Sequence, residues 1–220
     1  MTGKLPQILV VRHTETQWNA QGRLQGRRDT PLTLNGIRQA FAVAETLVPI
    51  VQQPKGNWSF WSSPLGRARQ TASILADTLA VPFSQFQCPD ALVERRYGEW
   101  EGLTHEDIRK ARQNELDAQQ TDPWNYRMPG AESKADVTAR LRDWLSTLSL
   151  ESRHLIVTHS GCLRMLRGIY QRATPAVIEG FREPQTAAFL LHDGSEQLIE
   201  PSAAVLASHG CESTGRSVWI

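Results

Sequence analysis

Ile8-Leu9-Val10-Val11 is an unbroken run of branched apolar residues. A run with no alternation predicts a strand buried on both faces, as in a parallel sheet. A second run, Leu155-Ile156-Val157 between His154 and Thr158, has the same character. Both end at side chains that carry chemistry: Arg12-His13 after the first, His159-Ser160-Gly161 after the second. Between them, Ile37, Phe41, Ala44, Leu47 and Val48 recur on one helical face, and Thr33 stands where an N-cap belongs. Trp58-Ser59-Phe60-Trp61 predicts a short strand, and Pro64 suits the opening turn of a helix through Ala68, Ile74, Leu75 and Leu79. A polar helix is predicted from Thr104 to about Gln120 and an amphipathic one from Ser133 through Val137, Leu141, Leu145 and Leu148. Both starts have the form of a capping box with Asp in place of Glu. Cys162 to Tyr170 reads as a helix; Thr186 to His192 and Gln197 to Glu200, separated by Asp193-Gly194-Ser195, read as a hairpin. The tail from about Ser208 has the pattern of a weakly ordered segment.

Alternating strands and helices predict an α/β fold: a three-layer sandwich with a mostly parallel central sheet, helices on both faces, and the hairpin as an antiparallel edge. The segment from Leu103 to Glu132 is too polar for core and is expected to form a helical cap insertion, about 103–132, over the C-terminal strand ends. With 220 residues, 40% of them hydrophobic, the chain suits a single domain spanning 1–220. Its 24 basic and 23 acidic residues leave a net charge of +1, which gives no sequence-wide attraction for nucleic acid or an anionic membrane, so anion binding must be local. Cys88, Cys162 and Cys211 are far apart, without a C-x-x-C, which fits free thiols in a reducing compartment. The N-terminal apolar run meets charge too soon for a secretory signal, and nothing approaches membrane-spanning length, so a cytoplasmic protein is expected.

In an open α/β sheet, ligands bind outside the carboxyl ends of the strands, where Arg12-His13 and His159-Ser160 lie. Arg67 falls in the first turn of the helix after the second strand, where backbone amides also favour an anion. Two arginines, helix amides and two imidazoles describe a dianion site, and guanidinium suits phosphate through paired hydrogen bonds. His13 is then the candidate nucleophile toward phosphorus, because in-line phosphoryl transfer needs mainly positioning and charge stabilisation. Glu94 follows the apolar run Ala91-Leu92-Val93 and is the candidate acid for the leaving group; a surface ion pair with Arg95 or Arg96 is its structural alternative. His105 and His154 read as a cap neighbour and a strand start. The scattered Trp18, Trp58, Trp61, Trp100, Trp124, Trp144 and Trp219 read mostly as packing. Gly22-Arg23-Leu24-Gln25-Gly26 lacks the ending of a P-loop, no histidine or cysteine cluster suggests a metal, and Ser160 is not in a nucleophile elbow.

These residues also carry a resemblance. Arg12-His13-Thr14-Glu15-Thr16-x-Trp18-Asn19, Gly22-Arg23-x-Gln25-Gly26 and Asp29-x-Pro31-Leu32-Thr33 resemble the opening of the histidine phosphatase superfamily, the branch that includes cofactor-dependent phosphoglycerate mutases. Ser62-Ser63-Pro64-Leu65-x-Arg67-Ala68-x-Gln70-Thr71-Ala72 resembles its second phosphate segment, and Leu92-x-Glu94 with Tyr97-Gly98-x-Trp100-Glu101-Gly102 its acid segment. Gly130-x-Glu132-Ser133 and Val157-x-His159-Ser160-Gly161 match the cap exit and the second histidine; the likeness covers about residues 8 to 170. The resemblance implies that His13 becomes phosphohistidine while Arg12, Arg67 and His159 hold the phosphoryl group. Asn19 would add a hydrogen bond, Ser160 would join the phosphate ligands, Gln25 and Gly26 would contact substrate, and Glu94 would serve as acid and then as base for water.

No metal or cofactor is implied, and the expected partner is a small phosphorylated metabolite. The oligomeric state stays open, a homodimer included. Two departures from the family pattern stand out. Thr14 replaces the usual Gly or Ala and is expected to narrow the loop and add a donor. The cap has Arg109-Lys110, Arg112 and Arg127 but no Arg-Arg pair of the mutase kind, and His159-Ser160-Gly161 looks phosphatase-like. The expected activity is a phosphomonoesterase; the alternatives are a mutase and a non-catalytic module that binds a phosphorylated ligand or partner.

Overall fold

The apolar run at the start of the chain forms β1 (Gln7–Arg12) in the computed structural model, which describes residues 4–53 and 57–211. Trp219 and the tail beyond Cys211 lie outside the described residues. A short helix α1 (Gln17–Ala20) follows, then α2 (Leu34–Val51), β2 (Trp58–Ser62), α3 (Gly66–Thr78) and β3 (Phe86–Gln87). Single turns at Asp90–Leu92 and Gly98–Trp100 lead to α4 (His105–Ala111), α5 (Gln113–Thr121) and α6 (Lys134–Leu145). The chain continues as β4 (Arg153–Thr158), α7 (Ser160–Gln171), α8 (Pro175–Glu179), β5 (Ala188–His192), β6 (Ser195–Ile199) and α9 (Ala203–Ser208).

The strands form one six-stranded sheet in the order β3-β2-β4-β1-β5-β6. β1 to β4 pair in parallel wherever they adjoin, and the β5–β6 hairpin joins β1 antiparallel, so the fold is the mixed α/β fold the pattern predicts. Burial explains the unbroken apolar runs. Ile8, Val10 and Ile156 belong to one core with Val137, Leu141 and Leu145 of α6 and Leu163 and Leu166 of α7. Leu9, Val11, Leu155 and Val157 belong to a second core with Val43 and Leu47 of α2 and Ala68, Ala72 and Leu75 of α3. Every position in the two apolar runs therefore faces a core, which leaves no place there for polar alternation. A third, smaller core gathers Leu24, Trp100, Ile108 and Met128.

Local chemistry sets the boundaries. Thr33 caps α2 by accepting from Gly36 N–H, and Thr104 and Ser133 form capping boxes with Asp107 and Asp136. Asp closes these boxes as Glu would.

Three details depart from the pattern. The polar helix predicted from Thr104 to about Gln120 is broken at Arg112, whose backbone turns to φ −138°, ψ 33°. There its guanidinium bridges Glu99 at 2.6 Å and Glu115 at 3.0 Å while Trp100 Nε1 donates to Glu115, so tertiary bonds to the Gly98–Trp100 turn outweigh continuation of the helix. The hairpin turn has two residues, Asp193 (φ 47°) and Gly194 (φ 79°), both left-handed, and Ser195 already starts β6. The third departure is α9, a helix over residues the pattern left unassigned; the tail expected to be weakly ordered starts at its end and lies mostly outside the described residues. The helix is capped by Ser202 and held to α2 by His209, which bonds Glu45 at 2.7 Å and stacks on Phe41.

Candidate active site

Because β1 and β4 are parallel neighbours in register at Arg12 and Thr158, the two histidines leave the sheet side by side. His13 N–H donates to Thr158 O at 2.8 Å, and the imidazole centres of His13 and His159 stand 5.2 Å apart. His13 is 4% exposed. Its Nδ1 lies 2.8 Å from Thr14 O, an atom that can only accept, so the proton sits on Nδ1 and the lone pair on Nε2. That lone pair receives Arg67 Nε–H at 3.2 Å. Burial first, then the charges of Arg67 and Arg12, hold His13 well below the usual histidine range, which keeps the ring neutral.

Arg67 is fixed by acceptors on the loop before α2. It donates to Gly26 O at 2.7 Å, to Arg28 O at 2.8 Å and to Asp29 Oδ1 at 3.0 Å. Gly26 is left-handed at φ +56°, and a Cβ there would run into the Glu101 carboxylate, so the loop needs glycine twice over. Arg12 donates to Glu183 O at 2.7 Å while its Nε is buried without a partner. His159 is fully buried beside His13, not on the pocket wall. Its Nε2 is 2.7 Å from Ser63 Oγ and its Nδ1 has no partner; burial, then Arg67, holds it too well below the usual range.

Glu94 is buried and makes no surface ion pair with Arg95 or Arg96. Its carboxylate accepts Arg95 N–H at 2.7 Å and Gly161 N–H, in the first turn of α7, at 3.0 Å. Gly161 permits that approach, since a Cβ there would stand 2.5 Å from Glu94 Oε1. Asn19 Oδ1 accepts from Thr16 and, at 2.9 Å, from Gln185, so its amide nitrogen is the group it offers the pocket. Gln25 Nε2 donates to Thr16 Oγ1 and leaves its buried Oε1 unpartnered; Ser160 Oγ donates to Glu183 at 3.1 Å. One pocket brings together Arg12, His13, Asn19, Gln25, Gly26, Arg67, Glu94 and Ser160.

The sequence-based reading missed other walls of this pocket: Arg23, Arg95, Tyr97, Lys134 and Arg164, with Val137 and Met165 as apolar surface. Lys134 is held by Glu179 at 2.6 and 2.7 Å and Arg164 by Glu183 at 3.0 Å. Burial, despite Glu179, lowers the Lys134 ammonium below its usual range. Arg164 lies four residues after Ser160 on one helical face, a spacing that could have flagged it; Glu183 and Gln185 sit in an irregular segment with no such signal. None of the expected cap cations lines this pocket: Lys110 pairs with Glu106, Arg112 with Glu99 and Glu115, and Arg127 with Asp136, and Arg109 also lies off its wall. Nor does Thr14 add a donor to the pocket, because its amide and hydroxyl face Thr71 Oγ1. His154 is structural, placed between Trp61 Nε1 and Ser149 O. A neutral imidazole of fixed tautomer beside two guanidiniums can hold a dianion in this cleft, with Arg67 Nε–H passing from the Nε2 lone pair to the anion.

A family model described as histidine phosphatase superfamily (branch 1) matches residues 8–196. The chain is 33% identical over 181 residues to a metal-independent phosphoserine phosphatase of Arabidopsis thaliana, covering 80% of this chain and 72% of the relative. It is 34% identical over 166 residues to a 6-phosphofructo-2-kinase/fructose-2,6-bisphosphatase of Caenorhabditis elegans, covering 75% of this chain but only 34% of that longer protein. Among solved structures, a mycobacterial glucosyl-3-phosphoglycerate phosphatase complexed with VO3 superposes with a TM-score of 0.73 at 25% identity, over 90% of this chain and 100% of the other. The fold, the order of the motifs and these matches agree: the chain belongs to branch 1 of the histidine phosphatase superfamily.

Proposed function

We propose that the protein is a phosphomonoesterase that hydrolyses a small phosphorylated metabolite through a phosphohistidine on His13. The observation that carries this reading is the bond between His13 Nδ1 and Thr14 O, which fixes the tautomer and leaves the Nε2 lone pair beside Arg67. In the first step Nε2 attacks phosphorus in line while Arg12 and Arg67 balance the charge of the equatorial oxygens and neutral His159 backs the His13 ring from behind the pocket wall; the Asn19 amide and Ser160 add polar contacts. The P–O bond to the leaving group breaks, and Glu94 supplies the proton to the departing alkoxide. In the second step Glu94 takes a proton from water, the water oxygen bonds to phosphorus, and the N–P bond breaks to restore neutral His13. Gln25 Oε1 and the Gly26 segment line the leaving-group side. The nucleophile and acid are both side chains, so neither step calls for a cofactor or metal. No helix among the described residues is long and apolar enough to cross a membrane, and the free thiols of Cys88, Cys162 and Cys211 support a cytoplasmic setting.

The test is hydrolysis of p-nitrophenyl phosphate and a panel of phosphorylated metabolites with chelator present. The wild type should release phosphate and carry acid-labile phosphate, and His13→Ala should do neither. Undiminished hydrolysis by His13→Ala would refute the nucleophile. Isomerisation of 3-phosphoglycerate without net release would replace the reading with a mutase, and binding without turnover of any ester would leave a non-catalytic module.

A further inference from the structure

Most cations around the pocket already have acceptors in the protein: Arg67 has Gly26, Arg28 and Asp29, Lys134 has Glu179, and Arg164 has Glu183. Arg95 differs. It is 3% exposed and lines the pocket, and its Nε and NH2 are buried without partners. These two nitrogens form one edge of the guanidinium, the edge that presents two parallel N–H bonds to an acceptor with two oxygens. The plane is held in place, with the guanidinium carbon 4.4 Å from the centre of the Tyr97 ring. Leaving a buried charged donor pair unsatisfied is costly, so a fork of this kind points to an acceptor brought by a ligand.

The transferred phosphoryl group has its own donors at His13: the unpartnered Arg12 Nε, and Arg67 Nε, which now rests on His13 Nε2. Arg95 directly follows the acid: its backbone N–H holds Glu94, which protonates the departing oxygen in the mechanism above. A group reaching the Arg95 edge therefore belongs to the leaving-group half of the substrate, with Lys134 in the same wall.

We propose that the substrate carries a second anionic group in its leaving-group half, bound side-on by the Nε and NH2 edge of Arg95. Arg95 is thus a specificity-determining residue: neutral alcohol phosphates fill the phosphoryl site but leave the fork bare. A carboxylate and a second phosphate share the necessary pair of oxygens. This inference rests on the phosphomonoesterase reading for the orientation of the ligand, but its test does not depend on turnover.

Binding is measured by calorimetry on the full chain carrying His13→Ala, so that nothing is consumed. The ligands are 3-phosphoglycerate, glycerol 3-phosphate and glycerol 1,3-bisphosphate, which differ in having a carboxylate, a hydroxymethyl group or a second phosphate at one end. The expected result is tighter binding of at least one dianion-plus-anion ligand than of glycerol 3-phosphate, by about 10²-fold. Adding Arg95→Gln should shrink that ratio to about fivefold or less. Arg95→Lys, which keeps the charge but not the fork, should lose about tenfold of it and serves if the Gln variant does not fold. Which charged ligand gains identifies the second group as carboxylate or phosphate. Equal affinity for all three ligands, or a ratio that survives both substitutions, would overturn the inference. Either result leaves the phosphatase reading intact, because that reading is decided by hydrolysis and acid-labile phosphate.

Discussion

Neutrality at His13 follows from where the ring sits: burial and two guanidiniums oppose its protonation, and the Thr14 carbonyl settles which nitrogen is bare. A free histidine would lose activity on acidification near its ordinary value of about 6.5. Here kcat/KM should hold through that region, and its acid limb should follow protonation of the substrate or of other groups; a pH–rate profile with a limb at 6.5 that disappears on repositioning Arg67 would contradict this. For Glu94→Gln the outcome depends on the leaving group. Alkyl phosphates should lose about 10²–10⁴ in kcat/KM. p-Nitrophenyl phosphate needs little help from an acid, so it should give a burst of nitrophenolate and an accumulating phosphoenzyme, visible in rapid-quench experiments. His13 and Glu94 were legible in the sequence because each ends an apolar run, and a buried run has a definite end. Arg95 was legible only as an ion-pair partner and Lys134 only as a residue after a cap. Which cations turn into the cleft is fixed by the ring of Tyr97 two residues on and by Glu179 and Glu183, which come from distant segments.

At the scale of elements, α7 does two things at once. Its apolar face seals the core through Leu163 and Leu166, while its first turn offers Gly161 N–H to the Glu94 carboxylate. Gly161→Ala separates these roles. The added methyl would displace the carboxylate, and kcat should fall tenfold or more, whereas helix propensity favours Ala by up to about 1 kcal/mol, so thermal melting should change little. A large loss of melting temperature would show that the glycine serves packing instead. Element identity was legible where one rule acted alone: buried runs gave β1 and β4, and caps gave α2, α4 and α6. It failed at Arg112, where side-chain bonds to Glu99 and Glu115 interrupt a helix that no glycine or proline interrupts, and at α9, whose hold on α2 depends on His209 meeting Glu45 and Phe41.

The whole molecule should record its buried histidines in its response to pH. His13 and His159 both titrate lower when folded than when unfolded, so below about pH 6.5 the unfolded chain binds more protons than the native one. Stability is therefore fully present above that pH and declines as pH falls through it, with a slope of up to about 1.4 kcal/mol per pH unit for each histidine. Urea midpoints should drop between pH 8 and pH 5, and replacing His159 by Gln should flatten the slope; a midpoint independent of pH would refute the linkage.

The phosphate end is closed by residues far along the chain. Arg12 rests on Glu183 O, Gln185 reaches Asn19, and Glu183 clamps Arg164 and Arg167, the latter also bound to Glu196. During synthesis, Arg12 therefore waits 171 residues before Glu183 O can seat it. A nascent chain stalled before residue 183 carries His13 and Glu94 but lacks the Glu183 clamp that holds Arg12, Arg164 and Arg167 together.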